Sequence, residues 1–184
     1  MANVTKREFG TLLALFLVLA EVFGEGKDPS DTSVVDAFKI FRTLPHGTTI
    51  FDMDGDGDLD CVTAVRTEFS EDPLETTYVL LFKGLGGKEP RNVSFHIKPG
   101  RTPDRTQFTV DDDYDFVQHA RFHYTNYQNC AAMEQPFRGV RECVLWTTQD
   151  TFREMPEDCM LEYRKSCKDA VKPYDEESCA EFVL

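Results

Sequence analysis

Thr76-Thr77-Tyr78-Val79-Leu80-Leu81-Phe82-Lys83 runs into Gly84-Leu85-Gly86-Gly87, and Asn92-Val93-Ser94-Phe95-His96-Ile97-Lys98 runs into Pro99-Gly100. Each is a short run rich in β-branched and aromatic residues, closed by residues that break regular backbone. That is the pattern of strands joined by tight turns. The same texture extends both ways, and predicts strands at 48–53, 61–69, 76–83, 92–98, 106–111, 116–125, 129–134 and 142–148. Eight strands at this spacing with no helix between them predict an all-β fold, either an up-and-down antiparallel barrel or a sandwich. An eight-stranded barrel is just wide enough to hold one small ligand. Upstream, an amphipathic helix is expected at 31–43, with Asp31 as N-cap and Val34, Val35, Phe38 and Phe41 at helical spacing, until Leu44-Pro45-His46-Gly47 breaks it. Downstream, Pro156 suits the first position of a C-terminal helix over 156–170 that carries Met160, Tyr163 and Cys167.

The ends of the chain set its compartment. Lys6 and Arg7 precede the apolar run from Leu12 to Ala20, and Val22 and Gly24 stand at −3 and −1 of a cut before Glu25. A basic start, a short apolar core and a small-residue exit describe a secretory signal over 1–24. The run is too short to span a bilayer, which takes about 20 apolar residues. Residues 25–184, without repeats or linkers, then form a single domain. Lys6 and Arg7 leave together with Glu8 and Glu21, so the formal charge stays at −13. Such a surface repels nucleic acid and anionic membrane, which excludes both as partners and predicts a soluble extracellular monomer. The six cysteines (Cys61, Cys130, Cys143, Cys159, Cys167 and Cys179) read as three disulfides in a secreted chain, among fifteen pairings. No C-x-x-C pair supports a zinc ribbon or a redox motif. Asn92-Val93-Ser94 is a glycosylation sequon and so is expected at the surface.

Cys143-Val144-Leu145-Trp146-Thr147-Thr148, followed by Met155-Pro156-Glu157-Asp158-Cys159 and by Cys179 near the end, resembles the tick salivary lipocalins, the histamine-binding-protein family. Asp36-Ala37-Phe38-Lys39, Asp60-Cys61-Val62 and Tyr127-Gln128-Asn129-Cys130 resemble its other landmarks. The general lipocalin Gly-x-Trp signature is absent, as it is in the tick branch. The resemblance implies an eight-stranded calyx with a C-terminal helix on its wall, secreted to sequester a host mediator. Family ligands include histamine, serotonin, leukotrienes, fatty acids and cholesterol. It also implies the pairings Cys61–Cys179, Cys130–Cys159 and Cys143–Cys167.

Amine-binding members carry an acidic residue two places before a Trp on the last strand; here that place is Val144, with Trp146 retained. The lost carboxylate removes a charge-assisted bond worth roughly 1.5–3 kcal/mol, which moves the expectation toward lipid-like or mixed amphiphilic ligands. Tyr78, Phe82, Phe116, Phe122 and Tyr124 are the candidate apolar wall around Trp146. Alternation along 116–125 leaves two readings open. Either the aromatic face points inward, or Arg121 does, with His119, to meet a ligand carboxylate.

Asp52-Met53-Asp54-Gly55-Asp56-Gly57-Asp58-Leu59-Asp60 matches the D-x-D-G-D-G-x-x-D calcium loop. Asp52, Asp54, Asp56, Asp58 and Asp60 are therefore candidate calcium ligands, set against an acidic hairpin turn that binds nothing. No cofactor is required. Nucleophile-elbow, zinc-protease and phosphate-loop motifs are all absent, so an enzyme is not expected. The alternatives to a small-molecule carrier are a protein-binding immunomodulator acting through its outer surface and a calcium-binding extracellular β-domain.

Overall fold

The computed structural model describes residues 34–52, 62–82, 89–137, 139–151, 154–167 and 172–173. Helix α1 (Ala37–Thr43) is followed by strands β1 (His46–Asp52), β2 (Thr63–Glu71), β3 (Leu74–Phe82), β4 (Arg91–Pro99), β5 (Arg105–Val110), β6 (Asp113–Thr125), β7 (Cys130–Phe137) and β8 (Val140–Thr147). Helix α2 (Glu157–Ser166) and the short β9 (Lys172–Pro173) complete the elements. The sheet order is β2-β3-β4-β5-β6-β7-β8-β1, with β9 on the far side of β1. β1 also pairs with β2, which closes the sheet into an eight-stranded antiparallel up-and-down barrel. The sandwich reading is thereby excluded.

Both helices are shorter than the sequence pattern predicts. Asp36, not Asp31, caps α1: its extended backbone (φ −102°, ψ 104°) lets the carboxylate accept from the Lys39 amide at 3.0 Å. Val34 precedes the helix and is 61% exposed, whereas Ala37, Phe38, Ile40 and Phe41 bury the apolar face. Pro156 stands one place before α2 as its N-cap, and the helix ends where the Cys167 amide bonds the Tyr163 carbonyl at 2.7 Å.

Successive side chains on a strand point to opposite faces, so β7 and β8 each serve two cores. Ala131, Met133 and Val144 join the barrel interior. Cys130, Ala132, Cys143 and Leu145 face outward and pack with Cys159, Tyr163 and Cys167 of α2. Cys130–Cys159 and Cys143–Cys167 are joined there, with Cα–Cα distances of 6.3 and 5.8 Å, as the family resemblance implies. The Tyr163 hydroxyl adds a bond to the Cys143 carbonyl at 3.1 Å. Cys61 and Cys179 lie outside the described residues.

α1 plugs one end of the barrel. Its first amide donates to the Pro103 carbonyl at 2.9 Å, the Asp36 amide donates to the Tyr127 hydroxyl at 2.9 Å, and Arg42 forms a bidentate pair with Glu71. The Arg66 guanidinium donates to the Phe41 carbonyl. In the turn between β4 and β5, Asp104 accepts from Thr102 Oγ1 at 2.5 Å and from Arg121 Nε at 3.0 Å, while its carbonyl accepts from the Phe122 amide at 2.8 Å.

Burial by itself would raise the Asp104 pKa, but the hydrogen bonds from Thr102 and Arg121 and the Arg121 charge outweigh it and hold the carboxyl below its usual range. A depressed folded-state pKa contributes stability that is complete above the unfolded carboxylate value of about 4, and is lost as pH falls through the lower folded value. Asp104→Asn is therefore expected to flatten the acid limb of stability against pH. Denaturant unfolding from neutral pH down to about 3 measures it; an unchanged acid slope would show that other carboxylates carry that limb.

Candidate functional site

The barrel interior is the only enclosure whose walls come from every part of the sheet among the described residues. Its lining is apolar: Phe41 from α1, Tyr78 from β3, Phe95 from β4, Phe108 from β5, Phe122 from β6 and Trp146 from β8 surround a cavity of about 80 Å³. Phe41 forms its floor, with ring centroids 5.4 Å from Tyr78 and 5.6 Å from Phe122, the latter edge-on at 83°. Edge-to-face contact is the favoured arrangement for ring quadrupoles, so the floor is a fixed surface. The Tyr78 hydroxyl donates to the Leu44 carbonyl at 2.6 Å. Burial raises its pKa, so the phenol stays protonated and shows the lumen its ring.

Trp146 lies over Gly47 of β1. A Cβ at residue 47 would come within 3.2 Å of the indole Cε3, so a larger side chain there forces the ring to move. Val144, fully buried, occupies the next inward place on β8. The place after it is Glu142, 2% exposed and paired across the ladder with Gln135, which is 5% exposed and lines the cavity. Sequence reasoning passed over this carboxylate. The signal was available: residues 146, 144 and 142 share one face of an uninterrupted strand.

Phe82 is buried toward the opposite end of the barrel, where it lines a second cavity of about 220 Å³ with Phe95, Phe108 and Gln118. The Arg91 guanidinium stands 4.9 Å from its ring centroid.

Two of the wall candidates, and the candidate Arg121, are not in the lumen. Phe116 is 63% exposed, because the β5–β6 ladder passes from Phe108↔Gln118 to Val110↔Asp113 and leaves 114–117 without partners on β5. Tyr124 lies outside, its hydroxyl 2.7 Å from Asp158 of α2. A register shift between Phe122 and Tyr124 pairs them with Met133 and Ala132, and so moves Tyr124 to the face that α2 covers. Burial there, followed by the Asp158 bond, raises its pKa. Arg121 points outward to Asp104, so the inward-arginine reading is corrected, and His119 beside it is exposed. The opposing reading holds for Ala120 and Phe122, both 3% exposed, and for Gln118, which lines the second cavity.

Asn92 is exposed on β4. Asp54, Asp56, Asp58 and Asp60 lie outside the described residues, as does the Asp52 side chain. No group of acids, histidines or cysteines among the described residues is arranged to hold a metal.

A closed up-and-down barrel with an apolar lumen, one end stopped by a short helix and a second helix bonded to its wall, defines a lipocalin-type carrier of small molecules. The family model for tick histamine binding protein matches residues 52–181, and the chain belongs to that family. Among solved structures it is similar to Japanin from Rhipicephalus appendiculatus bound to cholesterol, with a TM-score of 0.54 and 14% identity over 73% of this chain and 96% of that one. It is also similar to the AM182 serotonin complex, with a TM-score of 0.52 and 14% identity over 73% and 85% of the two chains. At that identity the likeness concerns the fold. No curated relative matches it in sequence.

The inside and outside assignments on β6 have unequal costs. Phe122→Ala is expected to destabilise the protein by about 3–5 kcal/mol, and Phe116→Ala by no more than about 0.5 kcal/mol. Urea unfolding of the two variants checks this; equal losses would put both rings on the same side of the wall.

Proposed function

We propose that the protein is a secreted carrier that sequesters a small host mediator in its barrel, and so dampens a host inflammatory or immune response. Its ligand is an aromatic or aliphatic body with one cationic end. The observation that carries this reading is Glu142, a buried carboxylate two places from Val144 on the inward face of β8 and directly opposite Gln135, which lines the cavity. Val144 stands where amine binders of the family have their acid. Glu142 supplies the charge one inward step further along the same strand, about 7 Å away. A carboxylate inside a low-dielectric barrel is stabilised by an ammonium that arrives with its own hydrogen-bond donors. At about 80 Å³ the cavity is smaller than an ordinary ligand pocket, so a ligand of either class enters by displacing side chains of the lining, and a sterol-sized body also needs the α1 plug or Phe41 to move.

A second reading, an amphiphilic lipid, is favoured by Val144 and by the six aromatic rings of the lining. Serotonin and cholesterol in the two similar structures support a barrel of this architecture taking either class. Secretion is supported by the family and the wall disulfides, and no described helix is long and apolar enough to cross a membrane.

Trp146 is the only tryptophan, so its emission reports occupancy. Titration with histamine, serotonin, cholesterol and a leukotriene is expected to show amine binding. Glu142→Gln should weaken the amines by roughly 10- to 100-fold, the equivalent of a charge-assisted bond, and leave an apolar probe unaffected. Tight lipid binding with no amine response would replace the first reading with the second.

A further inference from the structure

Between β5 and β6 the wall makes an excursion that the carrier function does not use. Asp111-Asp112-Asp113-Tyr114-Asp115-Phe116-Val117 leads from the turn into β6, and one residue of β5, Thr109, faces four of β6. The surplus bows outward with its side chains in solvent: Tyr114 is 61% exposed, Phe116 63% and Val117 47%. Tyr114 meets the sheet at His96, its ring 5.5 Å from the imidazole and tilted by 38°, at the rim of an open groove that Val117 also borders.

The other described tyrosines are committed. The hydroxyls of Tyr78, Tyr124 and Tyr163 donate to Leu44, Asp158 and Cys143, and that of Tyr127 accepts from the Asp36 amide. Among the described residues the Tyr114 hydroxyl makes no hydrogen bond. It is a free phenol on a segment that no neighbouring strand holds on its β5 side, with acids at −3, −2, −1 and +1.

We propose that Tyr114 is a site of tyrosine O-sulfation, made as the chain passes through the secretory pathway; the proposal rests on the secretion reading above. An enzyme that transfers sulfate from an adenosine-phosphosulfate donor must bind a polyanion. It therefore presents positive charge around the acceptor, and acidic flanks are drawn into that field. The Tyr114 oxygen attacks the donor sulfur, the bond from sulfur to the phosphate oxygen breaks, and the phenolic proton passes to the enzyme's base. The products are the tyrosine sulfate ester and adenosine 3′,5′-bisphosphate. The donor and the transferase are supplied by the secreting cell. An exposed acceptor on an unpaired extended segment reaches an enzyme cleft without unfolding the barrel. The ester adds a fixed negative charge to a surface already rich in carboxylates.

Two arms test this. The full chain is expressed in secreting insect cells, collected from the medium with its disulfides intact, and mapped by mass spectrometry with fragmentation that preserves sulfate esters. The peptide bearing Tyr114 is expected to gain one SO₃, resistant to phosphatase. Separately, folded unmodified protein is incubated with purified tyrosylprotein sulfotransferase and a radiolabelled donor. Label is expected at Tyr114, absent from Tyr114→Phe, and several-fold lower in Asp113→Asn/Asp115→Asn, with the thermal unfolding of both variants unchanged. Tyr174, followed by Asp175-Glu176-Glu177, is the internal comparison. Secreted protein with unmodified Tyr114, or label on Tyr174 alone, overturns the proposal. Protein retained inside the cell but labelled at Tyr114 by the purified enzyme overturns the secretion reading and supports the acceptor site.

Discussion

Strand β1 carries the closure on which everything else rests. His46, Gly47 and Thr48 pair with β2, and Thr48, Thr49 and Phe51 pair with β8, with a register shift between Thr49 and Phe51. Without β1 the sheet would end in two open edges, each a row of unpaired amides and carbonyls. With it, the side chains that alternate inward from all eight strands share one interior. The closure has a chemical requirement, since Gly47 sits where the Trp146 indole crosses β1 and a Cβ there would crowd it. Barrel closure and the wall of the lumen therefore meet at one glycine.

The outside of the barrel is braced where the inside needs to be stiff. Cys130–Cys159 and Cys143–Cys167 span 29 and 24 residues, and in the chain-entropy account each contributes about 3–4 kcal/mol. Both land on β7 and β8, the strands whose inward faces carry Met133, Gln135, Glu142 and Trp146. A buried carboxylate keeps a strong field only in a rigid setting, because a wall that relaxes lets in water that screens it. The helix brace and the buried acid belong to the same pair of strands.

The lumen and the outer surface divide the chemistry. Inside, polar groups are few: the Tyr78 hydroxyl donates to a backbone carbonyl, and Gln135 stands opposite Glu142. Outside, charges pair between elements, as in Arg42–Glu71 and Arg121–Asp104. Such exposed pairs give little stability each, about 0–1 kcal/mol, but they place the loops that seal the α1 end.

Strand existence was legible in the sequence because β-branched and aromatic runs between Gly and Pro report a local preference. All eight strands stand within four residues of their expected bounds. The two described disulfides were legible through resemblance to a family, not through spacing, which allows fifteen pairings. Which face of a strand meets the ligand was not legible on β6. Alternation assumes an unbroken ladder, and β6 breaks it twice, between Gln118 and Asp113 and again at Phe122/Tyr124. Each slip sends the side chains beyond it to the other face, so Phe116 went to solvent and Tyr124 to the helix. On β8, whose ladder with β7 runs without a slip, the same alternation correctly turns Val144 and Trp146 inward and would have found Glu142. Local sequence thus determined that there would be strands, turns and a terminal helix. Register, a property of two chain segments at once, decided what the strands enclose.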